Sequence, residues 1–257
     1  MKKYAIALYV MLGMGIFTTS CSSEEELSQV YQGTGTVELT VNPDAGFQSR
    51  AVDESYYNNL KNYTVQVLKD GVVYNNCQWT GAVPSSVEME AGTYTLKAFA
   101  GKDEAVSTDN MYVVGSSDFT VTDGQNTTAS VTCKPVCAKV SITFGEDMPK
   151  YFTDYYVTFK TVALGAASYI WEKDNTEPVY MKVNENEKIN PQIVLTDTNG
   201  NRQTLDLKDG GYTLSPAQAL NVEIVPVVNN GKIHISITVD DTTIDKEISI
   251  EVPSDWV

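Results

Sequence analysis

Apolar and polar residues alternate with a period of two through most of the chain after Gly33. This alternation is typical of β-strands that bury one face and expose the other. The first such run, Thr36 to Val41, is ended by the turn residues Asn42-Pro43-Asp44. No long stretch repeats its apolar positions at helical spacing. The pattern therefore predicts an all-β protein.

Turn dipeptides between the alternating runs predict where the strands reverse direction. Asp70-Gly71 separates Tyr63 to Leu68 from Val72 to Tyr74, and this dipeptide suits the φ > 0 turn of a tight hairpin. The runs on either side of Ala91-Gly92 are predicted to pair in the same way, and further hairpin turns are predicted at Asp123-Gly124, Asn199-Gly200 and Asn230-Gly231. Later strands are predicted at Tyr155 to Val162, Ile193 to Thr196, Gln203 to Leu207, Asn221 to Val228, Ile233 to Val239 and Ile244 to Glu251.

The phase of the alternation changes between Cys133 and Cys137. Apolar residues occupy odd positions before this point, as at Val131, and even positions after it, as at Val140. Because a slip of one residue turns a strand over, Pro135 marks a predicted break between domains. Short strands at turn-punctuated spacing then favour two tandem Greek-key β-sandwiches, over residues 33–135 and 136–257.

The first 32 residues have a different character. Lys2-Lys3 precedes an apolar run from Tyr4 to Phe17, which is shorter than the roughly 20 residues needed to span a bilayer. With the small residues before Cys21, this predicts a lipoprotein signal peptide over residues 1–20 and lipidation of Cys21. Thr18 stands where the lipobox usually has Leu, so ordinary cleavage with a free Cys21 is the alternative.

Residues 21–32 are predicted to form an acidic tether. Ser22 to Glu26 resembles the acidic stretch that directs lipoproteins of Bacteroidales to the outer face of the outer membrane; the alternative is a solvated tether without that role. We therefore expect a protein that is lipid-anchored in the outer membrane at the cell surface. The formal net charge of −15 argues against nucleic acid and anionic headgroups as partners, since both would repel it.

Three cysteines remain if Cys21 is lipidated, and an odd number leaves at least one thiol free. On one continuous strand, the Cα atoms of Cys133 and Cys137 would lie about 13 Å apart, beyond the reach of a disulfide. They can pair only across a bend, and the pairing among Cys77, Cys133 and Cys137 stays open. A zinc site is not expected, because the chain lacks a second close cysteine pair and has one histidine.

The residues offer no catalytic constellation. The one histidine, His234, has the opposite parity to the isoleucines around it, so it is predicted to face outward and cannot complete a triad. The 33 acidic residues make any carboxylate pair uninformative. Asp197 to Asn201 resembles a calcium loop, but its glycine is misplaced and a hairpin turn explains it. We expect a non-enzymatic protein without metal or cofactor.

Aromatic residues are the candidate ligand contacts. Rings in loop-like context could stack on sugars or plug a neighbouring subunit, and the alternative is ordinary core packing. These residues are Tyr151, Phe152, Tyr155, Tyr156, Trp171 and Trp256.

Gly33 to Val41, followed by Gln48-Ser49-Arg50-Ala51, resembles the start of the fimbrillin subunits of Bacteroidales pili. Tyr63 to Val67 and Val87 to Phe99 are similar to later landmarks of the fimbrillin N-terminal domain. The second half resembles a family of Bacteroidales lipoproteins known only as a domain of unknown function.

The resemblance implies transthyretin-like sandwiches and a function in pilus assembly or adhesion, with other pilus subunits as partners. A protease would cut between Arg50 and Ala51 and remove the strand that contains Thr36, Val37, Leu39 and Val41. A partner's strand would then fill the groove without any cofactor. Ile248 to Val257 could be a donor strand with Trp256 as a plug, or the last strand of its own sandwich. The alternative function is a monomeric surface glycan-binding lipoprotein of a polysaccharide-uptake system.

Overall fold

The computed structural model describes residues 33–46, 55–189, 191–206, 212–230, 232–241 and 246–252, which all lie in one compact unit, Gly33–Val257. The strands of the first half are β1 (Thr34–Pro43), β2 (Thr64–Lys69), β3 (Val72–Thr80), β4 (Ser86–Glu90), β5 (Gly92–Ala100), β6 (Val106–Ser107), β7 (Val113–Val121) and β8 (Asn126–Pro135). Those of the second half are β9 (Cys137–Phe144), β10 (Phe152–Phe159), β11 (Tyr169–Glu172), β12 (Val179–Lys182), β13 (Glu187–Ile189), β14 (Gln192–Asp197), β15 (Arg202–Asp206), β16 (Tyr212–Leu214), β17 (Ala219–Asn229), β18 (Lys232–Asp241) and β19 (Lys246–Glu251). Short helices occur at α1 (Ser55–Asn58) and α2 (Met148–Tyr151), with 3₁₀ turns at Leu60–Asn62 and Val162–Leu164.

The first half folds a seven-stranded sheet, in the order β3-β2-β5-β7-β8-β1-β4, into a sandwich. The fold-over lies between β7 and β8, which pair at Val113 with Pro135 and at Val114 with Lys134. At this corner the backbones approach so closely that a Cβ on Gly115 would lie 2.2 Å from the carbonyl oxygen of Thr132. Alternate apolar residues of the two layers pack into one core.

The second half packs a four-stranded sheet, β11-β10-β14-β15, against a six-stranded sheet, β19-β18-β17-β9-β12-β6. A small two-stranded sheet, β13-β16, accompanies them. The core between the layers contains the fully buried Trp171 and Phe159, together with the isoleucines of β18.

The two sandwiches share one strand order. In the first, β1 lies between the antiparallel β4 and the parallel β8. In the second, β9 lies between the antiparallel β12 and the parallel β17. The opposite layers also correspond, because β3-β2-β5-β7 matches β11-β10-β14-β15 in chain order. The predicted fold class, an all-β chain with two tandem sandwiches, is confirmed.

Most of the predicted hairpins form. Asp70 and Gly71 have φ values of 54° and 80° and join β2 to β3. Asn199-Gly200 joins β14 to β15, and β17 pairs with β18 up to Asn229 and Lys232. The hairpin predicted around Ala91-Gly92 is wrong: β4 pairs with β1, whereas β5 pairs with β2 and β7 in the opposite layer.

The segment after Gly101 contains a strand that joins the other sandwich. In β6, Val106 and Ser107 pair with Met181 and Tyr180 of β12. The ammonium of Lys182 lies 2.6 Å from the Asp103 carboxylate beside this pairing. The first half therefore contributes the edge strand of the second half's larger sheet.

Candidate functional site

β1 is bonded to neighbours along both of its edges. On one side, residues Thr34 to Glu38 pair with β4, and on the other, residues Thr36 to Pro43 pair with β8. Among the described residues, β1 is the only strand with which β4 pairs. β1 therefore joins β4 to the rest of its layer.

The side chains of β1 follow the predicted alternation. Val37 is fully buried in the core of the first sandwich, and Leu39 and Val41 pack against that core while partly buried. Thr36 and Thr40 are exposed on the other face of the strand. The four residues predicted to lie on a removable strand, Thr36, Val37, Leu39 and Val41, therefore share one strand, with three of them facing the core.

Hydrogen bonds beyond the paired strands hold both ends of β1. At its start, the Gly33 carbonyl accepts from the amide of Ala91 at 2.7 Å, and the Thr34 carbonyl accepts from the amide of Gly124 at 2.8 Å. At its end, the amide of Asp44 donates to the Cys133 carbonyl at 2.8 Å. The segment in place thus extends a little beyond the strand itself.

If β1 left, two open strand edges and an apolar gap would remain. The amide and carbonyl groups of β4 and β8 that face β1 would lose their partners, and Met89 on β4 would lose the strand that holds it over the core. Such an exposed edge is a template for another strand. We call the space between β4 and β8 that Thr34–Pro43 fills the β1 slot.

The predicted cleavage and lipidation residues lie outside the described residues. These are Arg50, Ala51 and Cys21; Trp256 lies outside them as well. The described chain before Arg50 ends with a buried Ala45 and an exposed Gly46. The other arginine of the chain is Arg202, at the start of β15.

Three of the predicted ligand aromatics are core residues, in line with the alternative of ordinary core packing. Phe152, Tyr155 and Trp171 all belong to the core of the second sandwich. A bulge between Phe152 and Asp154 explains how residues of opposite parity, Phe152 and Tyr155, both face inward. Phe152 and Trp171, which are fully buried, have no free face for a sugar.

The other two described aromatics, Tyr151 and Tyr156, are half-buried. The guanidinium of Arg202 lies 5.5 Å from the centre of the Tyr156 ring on the outer face of the four-stranded sheet. Tyr155 forms one wall of a groove of about 280 Å³ that Phe144, Lys173 and Asn175 also line. Sequence alone missed the partnership of Arg202 with Tyr156, since it depends on the register of β15 against β14 and of β14 against β10.

The described cysteines are all free thiols. Cys133 and Cys137 belong to the core of the first sandwich, where burial raises the pKa of Cys133 to about 11 and that of Cys137 to about 12. Cys77 is half-buried on β3, and burial raises its pKa as well. A thiol with a raised pKa holds little thiolate and is a poor nucleophile at neutral pH.

Asp197 forms the turn between β14 and β15. Its carboxylate accepts hydrogen bonds from the amide of Asn199 at 2.8 Å and from the amide and side chain of Asn201, each at 2.7 Å. Burial raises the pKa of Asp197, but these hydrogen bonds outweigh it and hold the pKa below its ordinary value of 3.8. The interpretation of this segment as a hairpin turn is confirmed.

His234 is half-buried on β18, between the buried Ile233 and Ile235, as its parity predicted. Within the part of the chain that the structure describes, no three His, Cys, Asp or Glu side chains are grouped so that they could hold a metal ion. No helix in the described ranges is long and apolar enough to cross a membrane.

A buried hydrogen bond near the connection of the two halves was not predicted. The hydroxyl of Tyr57 accepts the amide of Met111 at 2.8 Å, and the hydroxyl of Tyr63 donates to the Tyr57 carbonyl at 2.8 Å. Tyr57 thereby fixes the backbone close to the strand that crosses to the second sandwich. Nothing in the local pattern of Tyr56-Tyr57 marks which ring is buried.

A family model described as a domain of unknown function, DUF4493, matches residues 33–254. No curated protein matches the sequence significantly. The fimbrial anchor protein Mfa2 from Porphyromonas gingivalis is 9% identical over 82% of this chain and 98% of that one, with a TM-score of 0.46. A candidate cell-adhesion protein from Bacteroides eggerthii is 11% identical over 82% of this chain and 96% of its own, with a TM-score of 0.42.

A candidate polysaccharide-binding protein from Bacteroides thetaiotaomicron is 12% identical over 88% of this chain and 100% of its own, with a TM-score of 0.44. The family match bears out the predicted resemblance to a family of unknown function and extends it to both halves of the chain.

Proposed function

The chain belongs to the family described as a domain of unknown function, DUF4493, and from that premise we propose that it is a non-enzymatic surface lipoprotein of the fimbrillin type. A lipid on Cys21 holds it in the outer membrane until cleavage, and it then acts as a pilus or adhesion subunit. Cleavage between Arg50 and Ala51 frees β1, and the strand of a partner subunit replaces it in the β1 slot.

The observation that carries this proposal is the position of β1. It is a strand near the N-terminal end of the folded unit, and it is also an interior strand bonded on both sides. Removing an edge strand would open one edge, whereas removing the interior strand β1 opens two edges and the core at Val37. A replacement strand restores the backbone hydrogen bonds and the apolar contacts together, and so supplies a strong driving force for assembly.

An arginine-specific protease tests the cleavage. The chain has two arginines, Arg50 and Arg202, and the second begins a paired strand and stacks on Tyr156. Limited digestion of the folded protein is expected to cut after Arg50 first and leave a product that starts at Ala51. The matched controls are Arg50→Lys, which should resist the enzyme, and Arg202→Lys, which should be cut like the native chain. First cleavage at Arg202 would contradict the proposal.

The lipid anchor has its own test. Cys21→Ala is expected to abolish both membrane retention and the incorporation of [³H]palmitate in the native host. Cys77→Ala is the control, because it removes a half-buried thiol of the folded unit and should leave labelling unchanged. Equal labelling of the Cys21→Ala variant would refute lipidation at that residue.

A second candidate function is a monomeric glycan-binding lipoprotein, which the half-buried Tyr156 beside Arg202 favours. A ring and a guanidinium on a flat sheet face can stack on a sugar and donate to its hydroxyls. This function predicts saturable sugar binding that Tyr156→Ala removes, in a protein that keeps β1. Tyr112→Ala, which removes a half-buried ring of the first half, is the control.

A further inference from the structure

One position in β1 has no room for a side chain. A Cβ placed on Gly35 would lie 2.6 Å from the carbonyl oxygen of Thr122 and 2.8 Å from that of Gln125. It would also lie 2.9 Å from Cγ1 of Val121, which is buried in the core. The two oxygens belong to the backbone of the turn between β7 and β8, so a rotamer change cannot relieve the contacts.

A strand cannot avoid this position by stopping short of it. Gly35 pairs with Met89 of β4, and the carbonyls of the two preceding residues accept the amides of Ala91 and Gly124. An incoming strand that begins only after the Gly35 position leaves these amides without their acceptors. Filling the β1 slot to its end therefore requires glycine at this point of the incoming strand.

The C-terminal strand of a second copy does not meet this requirement. Ile248, Ile250 and Val252 repeat the spacing of Val37, Leu39 and Val41. That alignment places Lys246 at the position of Gly35. Other registers do no better, because no residue between Lys232 and Val257 is glycine.

Three other segments of the chain carry glycine followed by apolar residues at the second, fourth and sixth positions, as β1 does. They are β5 from Gly92, Gly165 with β11, and Gly231 with β18. β5 is bonded between β2 and β7, and β18 between β17 and β19, whereas β11 is bonded to β10 and anchored in the core by its fully buried Trp171. None of the three is free to leave its sheet and enter another molecule.

From these contacts we infer that Gly35 sets the specificity and register of the β1 slot. On the premise of the proposed strand replacement, the slot takes the strand of a different subunit, one with the pattern Gly-x-apolar-x-apolar-x-apolar that runs parallel to β8. This chain does not polymerise with itself through β19.

Peptide exchange tests the inference. The full chain carrying Arg202→Lys is cut after Arg50 and incubated with an excess of fluorescent peptide, and incorporation is followed by anisotropy. The peptides are residues 33–46 of the native sequence, the same peptide with Gly35→Ala or with Thr36→Val, and the equivalent residues 244–257 with and without Lys246→Gly. Thr36 is exposed, so its variant is the matched control for a change beside Gly35.

The native and Thr36→Val peptides are expected to incorporate equally. Gly35→Ala is expected to weaken incorporation by about tenfold or more, as overpacking against a rigid backbone implies. The 244–257 peptide should fail, and Lys246→Gly should improve its incorporation. Equal incorporation of the Gly35→Ala peptide, or of the unaltered 244–257 peptide, would overturn the inference.

Failure of the native peptide itself would count against strand replacement, and not against the role of Gly35. The melting temperature of the intact chain then tests the role of Gly35 separately. Gly35→Ala is expected to lower the melting temperature relative to Thr36→Val. Without a clash, replacing glycine by alanine in a strand raises stability, so an unchanged or higher melting temperature would refute the restriction.

Discussion

Truncating Val37 to alanine should destabilise the first sandwich measurably. The side chain is fully buried and lies in a strand that joins two others. Two carbon atoms are lost, which at about 0.8 kcal/mol per buried methylene removes about 1.6 kcal/mol. The cavity left behind raises the total to about 2 to 3 kcal/mol. Thr40→Val, on the exposed face of the same strand, is expected to change the free energy of unfolding by less than about 0.5 kcal/mol.

Urea unfolding followed by tryptophan fluorescence measures the difference, because Trp79 packs against the core that Val37 fills. Hydrogen exchange adds a local test. The amides of β4 that bond to β1 should exchange faster in Val37→Ala than in the control, since β1 is the strand that holds β4. Equal stability of the two variants, with unchanged exchange in β4, would refute the placement of β1 inside the sandwich.

Three further changes test other contacts. Tyr57→Phe removes the acceptor of the Met111 amide and should lower the free energy of unfolding by about 1 to 3 kcal/mol. Tyr56→Phe changes an exposed ring and should leave that free energy unchanged. Equal denaturation midpoints for the two variants would contradict the buried hydrogen bond. Because the folded pKa of Asp197 lies below 3.8, its carboxylate stabilises the fold above that pH, and this stabilisation is lost in acid. Asp197→Asn should therefore be less stable than the native chain at neutral pH. The difference in stability between the two should disappear in acid, and a difference that persists there would contradict this role. In native protein, iodoacetamide should label Cys77 ahead of the two buried cysteines, which should react only in denaturant; early labelling of either buried thiol, mapped by mass spectrometry, would show that the core is open.

Local patterns predicted the strands and turns well. Val37, Leu39 and Val41 alternate with polar residues, and this alone indicates which face of β1 is buried. A tight hairpin turn requires positive φ values, and Asp70-Gly71 can adopt them, so the dipeptide indicates a tight hairpin at that point. These features depend only on residues that are adjacent in the chain, so the sequence alone is enough to predict them.

Partner choice between distant strands was harder to predict. Val87 to Glu90 has the same alternation whether β4 pairs with β5 or with β1, so the Ala91-Gly92 turn suggested a hairpin that does not form. Val106-Ser107 is too short for any pattern, and its pairing with β12 depends on how the two halves meet. Long-range pairing of this kind is determined by packing, which a single sequence does not display.

Only part of the candidate site could be predicted, because it too depends on residues that are distant in the sequence. The strand was found from its alternation, but the absence of space at Gly35 depends on the carbonyls of Thr122 and Gln125, far along the chain. Phe152 and Tyr155 have opposite parity, which a regular strand cannot turn to the same face, and a bulge turns both inward. A bulge adds one residue without a clear sequence signal.

The most direct test of strand replacement is the N-terminus of the protein at the surface of its native host. Surface material is run unboiled on a gel, blotted, and each band is sequenced from its N-terminus. Strand replacement predicts a heat-labile ladder whose bands contain this chain starting at Ala51, with β1 gone. A single band with a blocked N-terminus at Cys21 and β1 retained would contradict it.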